Sequence, residues 1–187
     1  MPNWCQNQLT IRHKDAREIE RAIAAFQRGE LLNEFVPCPE GLSEEGTGFA
    51  NADVKADRVA KYGFESWYDW SVQHWGTKWD VGGEDRGYAE FDEHTVVMDF
   101  DSAWSPPLAA LKSMEAQGFE IAIMWDEPGM AFCGRYVTDG FQETFHYQDW
   151  NAEQAKKEIP AEIDETFGIV ERLQDWEETT GVKNDTN

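Results

Sequence analysis

Hydrophobic and polar positions along this chain alternate in some runs and recur at helical spacing in others. Asn7–His13 alternates around Leu9 and Ile11, which predicts a first strand. Ile19, Ala22, Ile23 and Phe26 follow at helical spacing, with Asp15 and Glu18 as a start signal and Gly29 as a stop. Thr95–Phe100 (TVVMDF) is the clearest strand of the chain. Leu108, Leu111 and Met114 predict a second helix, opened by Ser105-Pro106-Pro107 with Ser105 as its cap and ended by Gly118. Phe119–Trp125, Met130–Val137 and Phe141–Tyr147 predict three further strands, the last two joined by an Asp139-Gly140 turn. Asn151–Lys157 is compatible with a helix, and Ile159-Pro160 interrupts it. Asp164–Glu178 predicts an amphipathic helix with Phe167, Val170, Leu173 and Trp176 as its packing stripe.

Between the first helix and the later strands lies an insertion, around residues 31–74. Pro37 and Pro39 exclude a central strand near its start, and the Gly, Glu, Ser and Thr of residues 41–55 predict a mobile segment. The stretch Phe64–Asp80 is the most unusual in the chain, with Phe64, Trp67, Tyr68, Trp70, Trp75 and Trp79 close together. A short helix is predicted from Ser66 to His74, stopped by Gly76. Strand pieces are predicted at Trp79–Val81 and Tyr88–Phe91, around a Gly82-Gly83 turn.

This order predicts an α+β fold, ferredoxin-like in part, with a mainly antiparallel sheet and helices on one face. Residues 1–150 make that domain, including the insertion, and residues 151–187 add a C-terminal helical extension with a frayed tail. A chain of 187 residues with 41% hydrophobic content can build such a core without staples. Its three cysteines, Cys5, Cys38 and Cys133, are scattered, which fits a reduced cytoplasmic setting. The amino end carries no signal-peptide pattern, and no apolar run is long enough to span a membrane.

Charge changes the picture more than composition does. The net charge is -21, and residues 81–187 carry 7 basic and 24 acidic side chains. Such a field repels nucleic-acid phosphates and anionic membranes, and it favours basic partners or a protein surface that grips DNA. Solubility accounts for the same excess. On the predicted final helix, Glu171, Asp175 and Glu178 share a face at i, i+4 and i+7.

MPNWCQNQLTI, WSVQHWGTKWD and FDSAWSPP, read together, resemble the signature of the YubB-type ferredoxin-like family of small phage and plasmid proteins. The resemblance spans about 150 residues. It implies a ferredoxin-like β-α-β arrangement, a mobile-element origin and a bacterial host cytoplasm. It implies no iron–sulfur cluster, and three scattered cysteines cannot supply one.

Tests for chemistry return little. His13, His74, His94 and His146 are dispersed, and no metal motif occurs, so no metal and no cofactor are expected. No nucleophile elbow accompanies Cys5, Cys133 or Ser105, and no catalytic residue is assigned. Asn3, Trp4, Trp75, Lys78, Trp79, Asp80, Trp104 and Ser105 are left as the unusual set. They read either as a packing scaffold or as an indole-lined binding surface with Lys78 as its lone cation. The expectation is a noncatalytic phage or mobile-element accessory protein that binds another protein. The alternatives are an acidic DNA mimic that blocks a DNA-binding defence or host protein, and a small-substrate enzyme using the Lys78–Asp80 region.

Overall fold

The alternation read in the first strand is an alternation of burial. Along β1 (Trp4–Arg12), Cys5, Asn7, Leu9 and Ile11 are buried, while Gln6, Gln8, Thr10 and Arg12 face the other side. In the computed structural model, which describes residues 3–42, 52–83 and 87–181, this strand lies inside a six-stranded sheet. The other strands are β2 (Tyr88–Asp92), β3 (Thr95–Ala103), β4 (Glu120–Glu127), β5 (Phe132–Val137) and β6 (Phe141–His146). They run in the order β2-β3-β1-β4-β5-β6, and every neighbouring pair is antiparallel. Because β3 is antiparallel to both β1 and β2, those two are parallel and α1 (Ala16–Arg28) crosses between them. The same holds for β3 and β4, with β1 between them and α5 (Leu108–Glu115) as the crossover. Two such interleaved units make the ferredoxin-like arrangement, which β5 and β6 extend as a meander.

Both crossover helices cover the same face. Ile19, Ala22 and Phe26 of α1 and Ala110, Leu111 and Met114 of α5 pack in one core with Leu9, Ile11, Val96, Met98, Ile121 and Ile123. Helix α1 starts on the Asp15 side chain, which accepts from the Arg17 amide, and ends at Gly29 with φ 74°. The insertion is partly core. Leu31, Leu32 and Phe35 of α2 (Leu31–Phe35) join it, as do Leu42 and Trp70 of α4 (Trp67–His74), whereas α3 (Ala52–Tyr62) lies largely exposed.

The C-terminal extension covers the opposite face, behind β4, β5 and β6. It consists of α6 (Ala152–Glu158), α7 (Ala161–Phe167) and α8 (Ile169–Thr180). Ala155, Ile159, Ile163, Ile169 and Val170 pack there on Cys133 and Tyr147, with Met124 and Phe145 at the margin. A polar anchor sits in this second core. The fully buried Asp126 accepts from Tyr147 Oη at 2.6 Å and from Arg172 at 2.7 Å. At the sheet's other face the Trp125 ring lies over Gly134, where an added Cβ would sit 2.5 Å from the ring and 2.3 Å from the Glu143 carbonyl oxygen. Only glycine permits that approach.

Several expectations are corrected. Strand β1 begins at Trp4 and β3 runs on to Ala103, so the strands pair from Trp4 with Ala103 to Arg12 with Thr95. Trp79–Val81 forms no strand; it is irregular chain, and its Asp80 side chain accepts from the Leu32 and Asn33 amides of the insertion. The expected single helix over Asp164–Glu178 is two, divided at Gly168 with φ 63°, and the Asp164 side chain accepts from the Val170 amide to start the second. Ser105 does not cap α5, which begins after Pro107 without a side-chain cap. Expectations that rest on residues 43–51, on Glu84 and Asp85, and on residues 182–187 lie outside the described residues.

Candidate functional site

The aromatic stretch is held by polar ties from the sheet interior outwards. Ser66 starts α4 by accepting from the Asp69 amide, and Gly76, at φ 86°, turns the chain away after Trp75. The buried Asn7 donates to Ser102 Oγ at 2.9 Å, and Ser102 Oγ donates to the Ser105 carbonyl at 2.7 Å. Ser105 Oγ donates to the Gly76 carbonyl at 2.6 Å, and Thr77 Oγ1 to the Ala103 carbonyl at 2.9 Å. Two segments far apart in sequence, 75–80 and 102–107, are thereby fixed side by side at one end of β1 and β3.

Lys78 projects into the space they enclose. Its ammonium lies 4.4 Å from the Trp79 ring centre, 5.5 Å from that of Tyr68 and 5.7 Å from that of Trp104. Trp4 stacks obliquely on Trp79 at 5.9 Å, and Tyr68 meets Trp104 edge-on at 6.1 Å. Trp4 is 48% exposed, Tyr68 39% and Trp104 39%, so three large rings face water in one patch. Trp104 also holds a left-handed backbone, φ 68°, unfavourable for a residue with a Cβ; its amide donates to the Asn3 carbonyl at 2.9 Å. Among the described residues no carboxylate pairs with Lys78. Beside it a groove of about 430 Å³ opens, lined by Trp67, Trp75, Trp79, Asn33 and Cys38.

Four of the eight expected residues therefore form the surface: Trp4, Lys78, Trp79 and Trp104. The others support it. Trp75 is 7% exposed and donates its indole N–H to the Val36 carbonyl at 2.8 Å, so it belongs mainly to the core. Asp80 lines the same groove as Lys78 but makes no ion pair with it. Its carboxylate accepts from the amides of Leu32 at 2.7 Å, Asn33 at 2.8 Å and Val81 at 2.8 Å, and so closes the start of α2. Burial pushes its carboxyl up to about 6, against the pull of those hydrogen bonds. Ser105 is a tie, and Asn3 contributes its carbonyl. Tyr68 is the member that sequence reasoning missed; its place in the aromatic stretch was the available signal.

Elsewhere the described residues offer little chemistry. No group of three His, Cys, Asp or Glu side chains could hold a metal ion among them. Cys5 and Cys133 are buried and unpaired; desolvation raises both thiols, Cys133 to about 12, which makes them poor nucleophiles. Glu171, Asp175 and Glu178 are exposed on α8, while Arg172 of the same helix turns inward to Asp126. No helix of the described residues is long and apolar enough to cross a membrane.

No family model and no curated protein matches the chain. Among solved structures it is similar to a protein api92 from Yersinia pseudotuberculosis, of the family DUF1281, with 13% sequence identity and a TM-score of 0.42 over 79% of this chain and 98% of that one.

Proposed function

We propose that this chain is a noncatalytic accessory protein of a phage or related mobile element, and that it binds another protein through the aromatic rim around Lys78. The observation that carries the reading is the exposure of Trp4, Tyr68 and Trp104 together, around one ammonium, on a rigidly tied frame. Large aromatics that fold stability does not require to be exposed are the residues that dominate binding at protein interfaces. The strained backbone of Trp104 points the same way, since strain is retained where a side chain must be held in place. The mobile-element part rests on the resemblance of WGTKWD and AWSPP, and it implies action in the bacterial cytoplasm. The small-substrate reading is supported less, because Asp80 spends both oxygens on backbone amides and makes no ion pair with Lys78.

A second reading is an acidic DNA mimic, favoured by the exposed row of Glu171, Asp175 and Glu178 on α8. One experiment separates them. The purified protein is used to capture partners from host lysate as wild type, as the pair Trp4→Ala and Trp104→Ala, and as the triple reversal of Glu171, Asp175 and Glu178 to lysine. A partner lost by the first variant and kept by the second supports the rim. A partner lost by the second, displaced by DNA and by salt, supports mimicry. A partner kept by both variants overturns both readings.

A further inference from the structure

The rim is almost purely a surface of donors. An ammonium has three N–H groups and no acceptor, and an indole has one N–H and no acceptor. Lys78 and the indoles of Trp4, Trp79 and Trp104 meet no acceptor among the described residues. Their alternative partner is water, on a patch whose rings hold water poorly. Resting on the protein-binding reading, we propose that the rim recognises a carboxylate, an aspartate or glutamate side chain of the partner, flanked by apolar residues. The carboxylate reaches Lys78, where its two oxygens offer about four lone-pair sites to the ammonium and a neighbouring indole N–H. The flanking apolar side chains lie on the exposed faces of Trp4 and Trp104, or enter the groove beside Trp67 and Trp79.

The net charge of -21 opposes an acidic ligand, but only over distance. At physiological ionic strength exposed charges are largely screened beyond about 8 Å. The groove beside Lys78 is also lined by Glu30 and by Asp80, whose carboxylate is taken up by three backbone amides; the cation of the rim is Lys78, and a charge-assisted hydrogen bond made against three rings is stronger than one made in open water.

The test uses the full chain and two blocked peptides, acetyl-Ala-Leu-Glu-Leu-Ala-amide and its glutamine counterpart, titrated while the indole N–H signals are followed by NMR. The glutamate peptide should shift the Trp4, Trp79 and Trp104 signals and bind at least tenfold more tightly than the glutamine peptide. Lys78→Met should abolish that difference, Lys78→Arg should keep most of it, and raising the salt should shrink it. A third peptide, ending in leucine with a free carboxylate and no internal acid, should bind more weakly than the glutamate peptide; tighter binding overturns the assignment to a side chain. Equal binding of the glutamate and glutamine peptides, or no binding of either, overturns the carboxylate. In that case capture of a protein partner that still depends on Trp4 and Trp104 leaves the protein-binding rim standing, and capture indifferent to them removes both.

Discussion

Arg172→Met should detach the C-terminal extension from the sheet in a pH-dependent way. The wild-type guanidinium lies 2.7 Å from Asp126, whose side chain is fully buried, while the arginine side chain is 39% exposed. At an effective dielectric constant of about 20, two charges about 4 Å apart attract by roughly 4 kcal/mol. Solvent on the arginine side screens part of this, so the loss should be roughly 2–3 kcal/mol. Methionine keeps much of the apolar stem, which isolates the charge from the packing. Burial raises the Asp126 carboxyl above its ordinary 3.8, and Tyr147 and Arg172 pull it back down. Without Arg172 it rises further. A carboxyl raised in the folded state favours folding while both states are protonated, and that advantage is lost as pH climbs through the folded value. The penalty of Arg172→Met should therefore be small near pH 4 and full at neutral pH. Urea melts at the two pH values, followed by circular dichroism, measure it, and the double variant Asp126→Asn with Arg172→Met should recover most of the loss. A penalty equal at both pH values, or a double variant no better than the single one, refutes the reasoning.

Three further outcomes follow from the same geometry. Trp75→Ala should cost about 3–5 kcal/mol in urea melts, because it empties a core site, whereas Trp104→Ala should cost about 1 kcal/mol or less. At position 104 glycine should be more stable than alanine by about 1–2 kcal/mol, because the left-handed backbone penalises any Cβ; equal midpoints would contradict the strain. Asp80 has a folded carboxyl at about 6 against an ordinary 3.8, so its contribution favours folding at low pH and declines as pH rises through that window. Asp80→Asn should remove up to about 3 kcal/mol of that slope, as read from melts between pH 4 and pH 7.

The sheet was legible because it obeys local rules. Alternation gave β1, β3, β4 and β5, and glycine and proline marked most of their ends. Gly168 escaped notice because Phe167, Val170, Leu173 and Trp176 keep a three-residue spacing across the break. Trp79–Val81 looked like a strand because a tryptophan and a valine flank Asp80, and nothing local reveals that Asp80 serves amides 47 and 48 residues earlier. The rim was half legible. Composition singled out Trp4, Lys78, Trp79 and Trp104, but which indoles face water depends on the ties from Asn7, Ser102 and Ser105. The anchor of Asp126, Tyr147 and Arg172 was invisible, since its members lie 21 and 46 residues apart.

The place of β1 inside the sheet has a consequence in time. Among the strands of this sheet β1 comes first in sequence and pairs with β3 and β4, so one flank cannot close until Ala103 has been made and the other until Glu127. At roughly 5–20 residues per second, its apolar face waits on the order of ten seconds for both neighbours. Before β3 is made, α1 and the core side chains of the insertion are at hand to shield Leu9 and Ile11. A truncated chain ending before β4 should therefore be aggregation-prone, and production of this protein should depend on translation speed and on chaperones that bind its first strand.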